Sequence, residues 1–128
     1  MKKWLLGCAL LGLAYCAQPA YAFEEGQEIA YRAGCHTLGA MRAVLDLAVD
    51  DEHAAHAAFG KFIERVPFER PACFVLPQTI PAKLVKKHAG PVATQVDGET
   101  IMFELWELID VFGDPAFILI HVETGTDS

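Results

Sequence analysis

The chain contains no asparagine, and its single serine, Ser128, is the last residue. A serine nucleophile working with a histidine and an acid is therefore excluded by residue supply. Neither common glycine-rich phosphate cradle occurs, and no Cys-x-x-Cys pair is available for zinc or dithiol redox work. Basic side chains are scarce, with 10 Lys and Arg against 17 Asp and Glu. That deficit excludes the basic footprint expected of a protein that binds nucleic acid or an anionic lipid surface. Past the first 22 residues, no apolar run reaches the roughly 20 residues needed to span a bilayer.

The first residues have the layout of a secretory signal peptide: Lys2 and Lys3, an apolar core from Trp4 to about Tyr15, then Ala20-Tyr21-Ala22. Cleavage before Phe23 is expected, leaving one domain of 106 residues in the periplasm or outside the cell. A lipoprotein alternative anchored at Cys16 fits less well, because Tyr15 is bulky for the position before a lipid-modified cysteine. Loss of Lys2 and Lys3 leaves 8 basic against 17 acidic side chains, a formal charge of −9. Cys8 and Cys16 leave with the leader, so Cys35 and Cys73 remain as an even pair in an oxidising compartment. A disulfide between them is expected, with a reactive thiol at Cys35, beside His36, as the alternative.

Two helices are expected early in the domain. Thr37 is a candidate N-cap, after which Leu38, Met41, Leu45 and Ala48 recur at helical spacing with Val44 beside them. Asp50-Asp51-Glu52 should end that helix and open the next, whose stripe is Ala55, Phe59, Phe62, Ile63 and Val66 before Pro67. A short strand from Gly26 to Arg32 should precede them, broken at Gly34.

From Cys73 onward the texture is β. Phe74-Val75-Leu76 reads as a short run closed by Pro77. Ile80, Ala82 and Leu84 alternate with polar positions, and residues 86–91 read as a loop or strand end. Pro77 and Pro81 demand an edge or a bulge. Asp97-Gly98 between apolar runs signals a tight hairpin. The run Ile101–Phe112 admits a helix capped by Thr100, but the Asp-Gly turn and the β-branched run Phe117–Val122 favour a strand. Gly113-Asp114-Pro115 then makes the next turn. The fold class is α+β: a two-helix hairpin on a small, strongly bent antiparallel sheet, possibly closed as a barrel. The opening strand with Gly26, Ile29 and Tyr31, the cysteine before a helical hairpin and the second cysteine before short strands resemble a type of small secreted bacterial protein. Those proteins pack two helices on an SH3-like barrel, and the resemblance implies no activity and no site residues.

Candidate chemistry is sparse. His53 and His56 lie three apart on the second helix, close to Asp50, Asp51 and Glu52, and could serve as metal ligands. The plainer reading is two exposed histidines on a polar face. Glu104 and Glu107 fall on opposite faces of a strand, so they cannot form a carboxylate pair between them. His121 sits inside a strand, out of phase with Ile118 and Ile120. Lys83, Lys86 and Lys87 form the one local basic cluster, and Trp106 could belong to a recognition patch or to the core. These features point to a non-catalytic secreted interaction module with no cofactor. Its partner would be an envelope protein or cell-wall component, with inhibition of a cationic envelope enzyme as a variant. The alternative is a metal-binding protein or a cysteine-dependent enzyme.

Overall fold

The computed structural model describes residues 23–65, 67 and 69–122. The expected leader with Cys8 and Cys16, Val66, and the polar tail 123–128 lie outside them. The elements are β1 (Glu28–Cys35), α1 (Leu38–Asp50), α2 (Glu52–Phe62), β2 (Cys73–Val96), β3 (Glu99–Asp110) and β4 (Pro115–Val122). The α+β fold is as expected, and the antiparallel sheet closes as a barrel in the order β1-β2-β3-β4.

The helical hairpin follows its local chemistry. Thr37 is extended, and its Oγ1 accepts from the Ala40 N–H at 3.2 Å, satisfying one orphan donor of α1. Asp51 serves both helices: its N–H donates to the Leu47 carbonyl, while its Oδ1 accepts from the His53 and Ala54 N–H groups. The buried stripe is Met41, Val44, Leu45 and Ala48 on α1, with Ala55 and Phe59 on α2. α2 ends at Phe62 with Ile63 as its C-cap, before Pro67 can interrupt it.

β3 settles the choice between strand and helix, because it is a strand buried on both faces. Ile101, Phe103 and Leu105 join Leu119 beneath the helices. Trp106 and Leu108, with Met102 packed against them, turn the other way and meet Ile118, Ile120 and Val122 inside the barrel. The hairpin before β3 has Asp97 at φ 54° and Gly98 at φ 81°, the two positive angles that a type I′ turn requires. Glu52 Oε1 accepts from the Asp97 N–H at 2.6 Å, tying this turn to the start of α2.

Three sequence expectations are corrected. β1 does not break at Gly34 but runs on to Cys35, because β4 passes so close that a Cβ at Gly34 would lie 2.9 Å from the Phe117 carbonyl oxygen. Phe74–Leu76 does not stop at Pro77, and residues 86–91 are not a loop: both belong to one 24-residue strand, β2. Its first part pairs with β1 and its later part with β3; Pro77 and Pro91 fall in interruptions of register, and Pro81 keeps register with Ala30. At Gly90 (φ 104°) the backbone of β3 comes so near that a Cβ would meet the Phe103 oxygen at 2.6 Å.

Cys35 and Cys73 are directly opposite each other in the β1–β2 ladder and joined by a disulfide, with Cα atoms 3.8 Å apart. Both are fully buried, and Cys35 is also the residue of β1 that pairs with β4, at Phe117. The bond encloses both helices in a 38-residue separation. Replacing both cysteines with alanine is expected to lower the unfolding free energy by about 4 kcal/mol on chain-entropy grounds. Urea denaturation of the oxidised wild type and the double variant would measure that loss.

Candidate functional site

The helices cover only part of the sheet's outer face. Beneath them lie Ile101, Phe103 and Leu105 of β3, but the same face continues along the strand to Glu107 and Ile109. Register places Glu28 of β1 opposite Lys83 of β2, and Lys83 opposite Ile109 of β3. Val85, left over in a register shift of β2, is exposed beside them. A groove of about 440 Å³ lies here, with Pro81, Val85, Ile109 and Val111 as its apolar lining and Glu28 and Lys83 among its polar residues.

The groove ends at the β3–β4 turn, which Asp110 organises. Its Oδ1 accepts from the Phe112 and Asp114 N–H groups at 2.8 and 3.0 Å. Its Oδ2 accepts from the Tyr31 hydroxyl at 3.1 Å. The Asp110 main chain donates to the Asp114 carbonyl and accepts from Gly113, and the Val111 N–H donates to the Pro81 carbonyl. This is the self-bonding geometry that aspartate supplies to turns, here buried and fully engaged. It holds Val111 and Phe112 outward, 62% and 75% exposed. Val111 lines the groove with Val85 and Ile109, and Phe112 follows it in the chain, so exposed apolar side chains gather at this end of the barrel.

The residues singled out from the sequence are scattered. Trp106 is not part of an exposed patch: it is 2% exposed inside the barrel, because its position in β3 faces Ile118 rather than solvent. Its indole N–H donates to Glu104 Oε1 at 2.8 Å, and Lys87 Nζ approaches Glu104 Oε2 at 3.5 Å, so this buried carboxylate is satisfied. Lys86 stands opposite Glu107 and Lys87 opposite Trp106, placing them on opposite faces, while Lys83 lies apart on the groove. The three lysines therefore do not act as one basic cluster. Glu107 pairs with His88 at 3.0 Å, on the face away from Glu104, as expected from strand alternation.

His53 and His56 are exposed on α2, and the neighbouring acids are engaged elsewhere, Asp51 as a cap and Glu52 on the Asp97 turn. No group of three metal-ligating side chains occurs among the described residues. A cysteine nucleophile needs a thiolate, and Cys35 and Cys73 are bonded to each other. His36 stacks on Phe74 with centroids 4.7 Å apart and lies 3.3 Å from Arg70. The apolar patch was hidden in the sequence because Val111 and Phe112 extend the hydrophobic run of β3. Only Asp110, placed to receive the N–H groups two and four residues ahead, marks where the strand stops.

Burial of Tyr31, reinforced by its hydrogen bond to Asp110 and by the nearby carboxylate charges, raises its phenol above the ordinary range. Burial lowers the His121 imidazole, and burial followed by the Arg70 charge lowers that of His36. Below about pH 6.5 the unfolded chain takes up protons that these two folded imidazoles resist, so stability is present above that pH and falls as pH drops through it. His121→Gln is expected to flatten part of this acid limb, as read by urea unfolding from pH 7.5 down to 4.5. Asp110→Ala, which strands three donors, is expected to cost about 2–3 kcal/mol by the same measurement at neutral pH. Comparisons with protein-family models, curated proteins and solved structures found no match.

Proposed function

We propose that this chain is a non-catalytic interaction module, exported to the periplasm or cell envelope, that docks a protein partner through the uncovered half of its β face. The supporting observation is the exposed apolar lining of the groove, Val85, Ile109 and Val111, followed in the chain by the exposed Phe112, on an acidic chain. Apolar area of this kind, with an aromatic at its edge, is where interface energy concentrates. The disulfide and the absence of a membrane-crossing helix among the described residues are compatible with export. The resemblance to small secreted proteins with a helical hairpin on an SH3-like barrel agrees with this reading and adds no activity to it.

The inhibitor variant, in which the partner is a cationic envelope enzyme, draws on the charge of −9 after leader removal. Among the described residues, the metal-binding and cysteine-enzyme alternatives have no assembled site to support them. Phe112→Asp is expected to abolish retention of envelope partners on the immobilised, oxidised protein, while His53→Ala with His56→Ala leaves it intact. Both outcomes are read by mass spectrometry of the eluates at several salt concentrations. Retention unaffected by Phe112→Asp would defeat the proposal, and retention that ignores ionic strength would defeat the cationic-enzyme variant.

A further inference from the structure

We infer that folding closes the leader-cleavage site, so that the Ala22–Phe23 bond is cut only before the domain folds. The inference rests on the export reading above, which puts a signal-peptidase site at Ala20-Tyr21-Ala22. The order of the two events is set by Phe23.

The first residue of a processed domain ordinarily frays into solvent, where a protease can reach it. Phe23 does not. It is 7% exposed and belongs to the buried cluster of Ile29, Tyr31, Leu84 and Trp106 inside the barrel. The turn that follows is pinned as well. The Glu24 N–H donates to Gln27 Oε1 at 3.0 Å, and the Gln27 N–H donates to the Glu24 carbonyl at 3.1 Å. The Gly26 N–H donates to the Leu84 carbonyl at 2.7 Å, and the Leu84 N–H donates to the Gln27 carbonyl at 2.9 Å. Residues 24–27 are thus a turn clamped to β2, with the Phe23 ring seated in the core at its start.

A peptidase needs exposed, extended backbone at the scissile bond. On the folded chain that demands lifting the Phe23 ring out of its cluster and unpicking the turn, a local opening whose population limits the rate. The hydrolysis itself is ordinary. Water adds across the Ala22–Phe23 amide, the C–N bond breaks, and the products are an Ala22 carboxylate and a Phe23 ammonium group. None of the hydrogen bonds that clamp the turn uses a residue before Phe23, so the mature chain keeps them.

The test is the rate at which purified signal peptidase in detergent micelles cuts the full 128-residue chain, oxidised and folded. The reference is the same chain kept unfolded in the same buffer by Leu108→Asp, a charge at a fully buried core position. Products are identified by mass, and unfolding transitions report which chains are folded. The folded chain is expected to be cut at Phe23 at least about 10-fold more slowly, the factor that burial of one phenylalanine ring imposes on the opened state. Phe23→Ala is expected to restore most of the lost rate. Gln27→Ala removes the acceptor for the Glu24 N–H and lies outside the recognition sequence. It is expected to raise the folded-chain rate and to leave the rate on the Leu108→Asp chain unchanged.

Equal rates on the folded and unfolded chains overturn the inference, as does a slow folded-chain rate that neither variant raises. Cleavage at another bond also overturns it but leaves export standing. If neither chain is cut, the export reading falls with it.

Discussion

The structure depends on what happens at Cys35. Its backbone pairs with Cys73 of β2 and with Phe117 of β4, and its sulfur is bonded to that of Cys73. Among the described residues, the first and last strands share this one register pair, whereas β3 and β4 share a ladder of eight. Closure of the barrel is therefore concentrated where the covalent link lies. Gly34, one residue earlier, makes the approach possible by presenting no Cβ to the Phe117 oxygen. A domain of this size buries a modest apolar area, and a covalent link between its strands raises stability without asking for a larger core.

With closure fixed, the central strands can be apolar on both faces. β3 separates a core under the helices, with Phe103 and Leu105, from a core inside the barrel, with Trp106 and Leu108. Glu104, a carboxylate buried beside that core, accepts from the Trp106 indole and lies near Lys87, so its burial leaves no orphaned acceptor. Closure also shortens the exposed strand edges through which small sheets associate. Contacts with other molecules are thereby directed to side-chain surfaces, and the half-covered outer face is the apolar one.

Much of this was legible from local chemistry. Thr37, Asp51 and the Asp97-Gly98 turn each act within a few residues of themselves, and each is where its sequence signature puts it. The stripe of α1 was legible for the same reason, since its period is set by the helix alone. The continuity of β2 through Pro77 and Pro81 was not, because a register interruption set by the pairing with β1 absorbs Pro77, while Pro81 is carried in register opposite Ala30. Trp106 was ambiguous for a related reason. An aromatic in a two-faced strand is core or surface according to which layer covers it, and here that depends on β4, whose Ile118 pairs with Trp106 across the next turn. The candidate site was the least legible part, because its apolar residues look like a continuation of the core run.

Val111 and Phe112 are exposed because Asp110 ends the ladder, not because the chain runs out of hydrophobic residues. The carboxylate takes the N–H groups of Phe112 and Asp114 and the hydroxyl of Tyr31, a residue of the barrel core on β1. The turn is thus anchored to the barrel interior through a hydrogen bond that spans the strand layer. Without those hydrogen bonds the turn would be free to bury the Phe112 ring, the favourable course for an isolated aromatic. Holding the ring outward requires the rigid scaffold that Asp110 supplies. That arrangement leaves Val111 and Phe112 exposed at the end of the groove strand, which is the physical basis for reading this end of the barrel as a contact surface.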